Sequence, residues 1–104
     1  DYTYVDDIVA GVLAAAAHLE RSSFEIFNLG GSATTTLSQL IALIEEATGR
    51  RARIRELPEQ PGDVPRTFAD VSKAERILGY RPRTAIRDGV AQYVHWYRAR
   101  TAAR

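Results

Sequence analysis

Gln60, Asp63 and Arg66 fall within one short bend of the chain, and together they carry groups suited to a ribose diol and a phosphate. An arginine presents a planar fork of five donors that grips a phosphate or pyrophosphate at two points. A carboxylate such as that of Asp63 accepts from two neighbouring hydroxyls, and a glutamine amide offers a donor and an acceptor side by side. Gly62, between them, allows the backbone to turn tightly. Each residue also has a plain surface role: Arg66 can pair with Asp63 or Asp70, and Asp63 can be a turn residue. Tyr2 brings a flat apolar body with a polar tip, which suits a sugar or base and equally suits a half-buried place at a sheet margin.

Other candidate chemistry is weaker. Gly30-Gly31 follows an apolar run and can turn backbone N–H groups toward a phosphate, but it lacks the three-glycine fingerprint and reads first as a turn. His18 and His95 are isolated, so no metal site is expected. Arg50, Arg51, Arg53 and Arg55 form a basic cluster that reads as a solvated edge rather than a nucleic-acid patch. There is no Tyr-x-x-x-Lys pair, no Gly-x-Ser-x-Gly turn and no carboxylate–histidine cluster, so no catalytic residue is assigned.

The elements that must position these groups follow from the local pattern. Residues 57–70 contain Pro58, Pro61, Pro65 and Gly62, which no helix or ladder survives. The stretch is long for a connection within a domain, and such loops are functional or disordered. With prolines to restrict it and Val64 and Phe68 to anchor it, it is expected to be ordered and to hold a ligand. Residues 1–5 are rich in β-branched and aromatic types and predict a short strand, with Asp6 capping a helix that runs to about Leu19. Ile8, Val9, Val12, Leu13 and Ala16 share a face of that helix, and Gly11 within it implies close approach by another element. Residues 24–29 place apolar side chains on both faces, the pattern of a central strand covered on both sides. Thr36-Leu37-Ser38-Gln39 fits a capping box opening an amphipathic helix that Gly49 ends. Residues 52–57 alternate as an edge strand. Asp70 is expected to cap a short helix stopped by Gly79, and Thr84 a last helix from about Ala85 to Arg98, with residues 101–104 fraying.

Composition sets the frame. The chain has 104 residues, 45% hydrophobic and 26% charged, with a net charge of +1, enough for one small domain and without pull toward nucleic acid or membrane. No run is long enough to span a bilayer, and no signal-peptide pattern is seen. The absence of cysteine excludes disulfides and thiolate chemistry and suits a reducing cytoplasm. The chain has no methionine and begins at Asp1, which suggests a piece of a longer protein.

Taken together, certain motifs resemble a known family. These are Asp1-Tyr2-Thr3-Tyr4-Val5 with Asp7, Phe27-Asn28-Leu29-Gly30-Gly31, Pro61-Gly62-Asp63-Val64-Pro65-Arg66-Thr67-Phe68-Ala69-Asp70, Ser72-Lys73-Ala74 and Leu78-Gly79-Tyr80-Arg81-Pro82. They resemble the C-terminal portion of the extended short-chain dehydrogenase/reductases that act on sugar nucleotides, with the nearest likeness among UDP-glucuronate 4-epimerases. The resemblance covers nearly the whole chain. It implies an α/β fold, the C-terminal segment of a Rossmann-type NAD-dependent epimerase, with mixed short strands and about four helices. Residues 1–104 would form the C-terminal substrate-binding lobe segment, with residues 24–29 as a strand of the Rossmann sheet. Tyr2 would lie near the ribose, residues 60–63 would line the ribose and diphosphate, and Arg66 would approach the diphosphate or sugar. NAD would be bound by an N-terminal domain outside this sequence, as would the catalytic tyrosine and lysine. The intact enzyme would oxidise C4 of a UDP-sugar, let the keto sugar turn over and return hydride to the other face, and would be a cytoplasmic homodimer. The segment alone would not be catalytic, and its exposed apolar surface would drive self-association or strand exchange. The alternatives are a dehydratase or decarboxylase of the same family, or a non-catalytic domain that binds nucleotide sugars or a partner.

Overall fold

The computed structural model describes residues 1–19, 21 and 24–102. Four helices follow in order: α1 (Val5–His18), α2 (Leu37–Thr48), α3 (Ser72–Leu78) and α4 (Ile86–Ala102). α1 packs on α3, and α2 on α4.

The local signals act as expected at both ends of α2 and at the C-terminal end of α3, whereas α3 opens at Val71 with no side-chain cap on its N-cap residue and α4 opens at Ile86, so the expected caps at Asp70 and Thr84 are not the N-caps of these helices. Thr36 accepts the Gln39 N–H through its hydroxyl at 3.2 Å, and Gln39 Oε1 accepts the Thr36 N–H at 2.9 Å, closing the capping box of α2. Gly49 ends α2 in the left-handed region (φ +70°), and Gly79 ends α3 in the same way (φ +67°). Asp70 Oδ1 accepts the Ser72 N–H at 3.0 Å at the start of α3, which holds the Asp70 carboxyl below its ordinary value. α1 instead opens after Tyr4, with no side-chain cap; Asp6 and Asp7 lie in its first turn, where the positive end of the helix favours them. α4 runs past Arg98 to Ala102, with the Thr101 hydroxyl donating back to Tyr97 O at 2.9 Å. Of the tail expected to fray, Ala103 and Arg104 lie outside the described residues.

The α/β, Rossmann-type expectation does not hold for these residues. No strand forms among the described residues: of the expected strands, residues 1–4, 24–29 and 52–57 are irregular, Val5 opens α1, and the fold is all-helical. A ladder needs a neighbouring strand to take up its N–H and C=O groups, and the described residues bring none alongside. Side chains take over part of that task at 24–29: Lys73 Nζ donates to Ile26 O at 3.0 Å, and Asn28 Nδ2 to Asp70 O at 3.3 Å. Lys73 also pairs with Glu25 at 2.8 Å, which depresses the Glu25 carboxyl.

The buried centre is small: Ala74, Tyr80 and Val94 are its hydrophobic members. Gly11 is buried where α1 meets Leu29 and Tyr80; a Cβ there would come within 2.7 Å of the Leu29 side chain, so the glycine serves the close approach its position implied. The apolar stripe of α1 stays exposed at Val9, Val12 and Leu13, and that of α4 at Tyr93 and Tyr97.

Candidate functional site

The bend that carries the expected site residues is a type II turn in its hydrogen bonding and glycine geometry. Asp63 N–H donates to Gln60 O at 3.1 Å across Pro61 and Gly62, and Gly62 has φ +94°. Gln60 Nε2 folds back onto Pro58 O at 2.9 Å. The Arg66 guanidinium carbon lies 5.8 Å from the centroid of the Phe68 ring, a cation–π contact. Arg66 makes no ion pair with Asp63 or Asp70 among the described residues. Every residue from 51 to 68 is exposed. The bend therefore presents Gln60, Gly62, Asp63 and Arg66 to solvent, with the Gln60 amide folded onto Pro58 and Arg66 beside Phe68.

Tyr2 stands elsewhere. It lines an apolar cavity of about 760 Å³ between α2 and α4, with Tyr4, Ile44, Val90, Tyr93 and Tyr97 among its walls. None of Gln60, Gly62, Asp63 or Arg66 reaches that cavity. The structure thus gathers four of the expected site residues in the bend and leaves the fifth on a separate wall.

A residue with no role assigned from the sequence organises the region around the bend's exit. The carboxylate of Asp1 accepts the Gly31 N–H (2.9 Å) and the Thr3 hydroxyl (3.2 Å) on one oxygen, and the N–H groups of Ala69 (3.0 Å) and Ser32 (3.2 Å) on the other. Ser32, in a left-handed conformation (φ 52°), donates its hydroxyl to Ala69 O at 3.1 Å. Tyr80 donates its buried hydroxyl to Gly30 O at 3.0 Å; burial first, and the nearby Asp7 charge second, raise its pKa. No local pattern announces such a carboxylate, because three of its four partners lie 30, 31 and 68 positions away along the chain.

This arrangement decides what the Gly30-Gly31 turn can hold. Its N–H groups at Gly31 and Ser32 are already taken by Asp1. The turn does not fit the pyrophosphate of NAD, and the described residues offer no cluster of His, Cys, Asp or Glu for a metal. No helix of the described residues is long and apolar enough to cross a membrane.

No protein-family model matches the chain. An uncharacterized protein of Methanocaldococcus jannaschii is 42% identical over 97 residues, covering 93% of this chain and 29% of that protein. UDP-glucuronate 4-epimerase 4 of Arabidopsis thaliana is 37% identical over 110 residues, covering 93% of this chain and 25% of that protein. The UDP-glucose-4-epimerase of Stenotrophomonas maltophila, solved with bound NAD and formylated UDP-arabinopyranose, matches with a TM-score of 0.89 and 32% identity over 100% of this chain and 31% of that one. The chain spans only about a quarter to a third of the length of these proteins. Along nearly its whole length it is similar to one portion of the UDP-sugar 4-epimerases, and that is the family its motifs resemble.

Proposed function

We propose that this chain is the C-terminal, nucleotide-sugar-holding portion of an NAD-dependent UDP-sugar 4-epimerase, and that it does not catalyse on its own. The observation that carries this reading is a likeness extending over the entire chain to an enzyme solved with NAD and a UDP-sugar. The exposed bend adds chemical support. Asp63 is suited to the ribose hydroxyls, Gln60 and Gly62 to the ribose and diphosphate edge, and Arg66 to the diphosphate or sugar. Tyr2, which lines a cavity that none of these residues reaches, is left outside this set.

NAD, held by another part of the protein, supplies a hydride acceptor and donor for C4 of the sugar. The residues of this chain bind and orient the nucleotide half so that the sugar faces that chemistry, and part of the binding energy comes from these remote contacts. We assign the enzyme to the cytoplasm and take it to act as a homodimer, in keeping with a cysteine-free chain and the family resemblance.

The experiment is a pair of assays with UDP-glucuronate. The full-length gene product is expected to form UDP-galacturonate, whereas the isolated chain is expected to form no product and to bind UDP weakly or not at all by calorimetry. Turnover by the isolated chain would overturn the proposal. Release of carbon dioxide or of a dehydrated sugar by the full-length product would assign it instead to a decarboxylase or dehydratase of the same family.

A further inference from the structure

Between Arg53 and Arg66 the hydrogen bonds among the described residues stay within the stretch itself. The position of the bend is therefore set at its ends. At the entrance, Ala52 N–H donates to Glu45 Oε1 at 2.7 Å. At the exit, from Ala69 onward, the contacts are far denser. Ala69 is held through both of its backbone groups, the N–H by Asp1 and the C=O by Ser32. Asp70 O accepts from Asn28 at 3.3 Å. The exit also lies directly on the glycine turn: a Cβ on Gly30 would sit 2.4 Å from Ala69 Cβ and 3.2 Å from Asp1 Oδ2.

Asp1 is the hub of these contacts. Its carboxylate receives four donors, which fills the four lone-pair sites such a group offers. An amide of the same shape keeps one oxygen and turns an NH2 toward two donors, so the site is specific to a charged carboxylate.

We infer that Asp1 is a positioning residue for nucleotide-sugar binding: it docks the exit of the bend onto the Gly30-Gly31 turn and so holds Asp63 and Arg66 in place to meet the ligand. The inference rests on the reading of the bend as the nucleotide-holding element. Asp1 touches no substrate in this scheme. It acts through Ala69, and through its chain neighbour Tyr2 it ties the first residues to the same anchor.

The test uses two variants and two readouts. Asp1→Asn removes the carboxylate. Gly30→Ala leaves Asp1 intact and drives Ala69 away by contact. In the full-length gene product, amide hydrogen exchange at Ala69 is expected to quicken at least tenfold in both variants, while amides within α2 keep their wild-type rates and report that the fold is retained. In the full-length gene product, both variants are expected to raise KM for UDP-glucuronate about tenfold and to leave kcat within about twofold, since the hydride chemistry lies elsewhere. Unchanged exchange at Ala69 in Asp1→Asn overturns the inference. Faster exchange with an unchanged KM overturns it as well, and leaves the epimerase reading standing. If the wild-type gene product neither binds UDP nor converts a UDP-sugar, the epimerase reading fails and takes this inference with it. That result is distinct, because it appears in the absence of any substitution.

Discussion

Two aspartates at the start of the chain work in the same way, by gathering backbone N–H groups that no helix or sheet satisfies. Asp7 accepts the Arg83 N–H at 3.1 Å and the Thr84 N–H at 2.9 Å, tying the first turn of α1 to the segment leading into α4. Burial pushes its carboxyl up, but the bonds from Thr84 and Arg83 and the Arg83 charge outweigh it and leave the pKa below the ordinary 3.8. A depressed carboxylate stabilises the fold above its unfolded pKa and loses that contribution as pH falls through the folded value. Asp7→Ala is therefore expected to cost about 2 kcal/mol at neutral pH, the order of a charged hydrogen bond, with the part-buried bond from Thr84 carrying more of it than the exposed one from Arg83. Urea denaturation reads it directly, and the gap from wild type should close as pH drops below 3.8. A gap that persists there would point to packing rather than charge. Neither aspartate reveals its work in the sequence. Asp7 looks like a helix-start residue, and Asp1 looks like the edge of a strand, because the groups they serve arrive from distant parts of the chain.

At the scale of elements, the helices were legible because their signals are local. The clearest is α2, where a capping box, an apolar repeat and a terminal glycine all lie within its own span. Thr36→Ala removes the hydroxyl that accepts the Gln39 N–H, and the expected cost is about 1 kcal/mol, seen as a lower thermal midpoint with loss of helical circular dichroism. No change on Thr36→Ala would mean that packing against α4 alone sets the start of this helix. The expected strands failed for the complementary reason. Residues 24–29 have the composition of a covered strand, yet a strand is a property of two segments, and their backbone carbonyl at Ile26 finds a lysine instead of a ladder. The turn at Gln60-Pro61-Gly62-Asp63 was legible again, since proline and glycine at adjacent positions dictate it locally.

For the whole molecule, surface area is the telling quantity. The chain exposes 8604 Å², whereas a compact protein of this mass exposes about 5,800 Å². The excess is larger than a protein–protein interface of standard size, which buries roughly 1,600 Å² in total. Its apolar part includes Val12, Leu13, Leu19 and Ile26, and Tyr93, Trp96 and Tyr97 of α4. The isolated chain is accordingly expected to self-associate, with light scattering giving a mass above that of one chain at high concentration. A strictly monomeric species would show that this surface is tolerated by water. Adding the remainder of the gene product should suppress the association if that remainder covers the same surface.

Local chemistry in the sequence determined that four helices form, where α2 begins and ends, where the Gln60–Asp63 turn falls, and which motifs align with UDP-sugar 4-epimerases, since each depends on neighbours within a few positions or on residue identity alone. Tertiary structure alone decided that no strand forms among the described residues, that Tyr2 lines a cavity apart from the bend, and that the Asp1 carboxylate occupies the glycine turn. These outcomes depend on which distant groups come within hydrogen-bonding or packing distance. That is a matter of the folded arrangement, and no residue's own type records it.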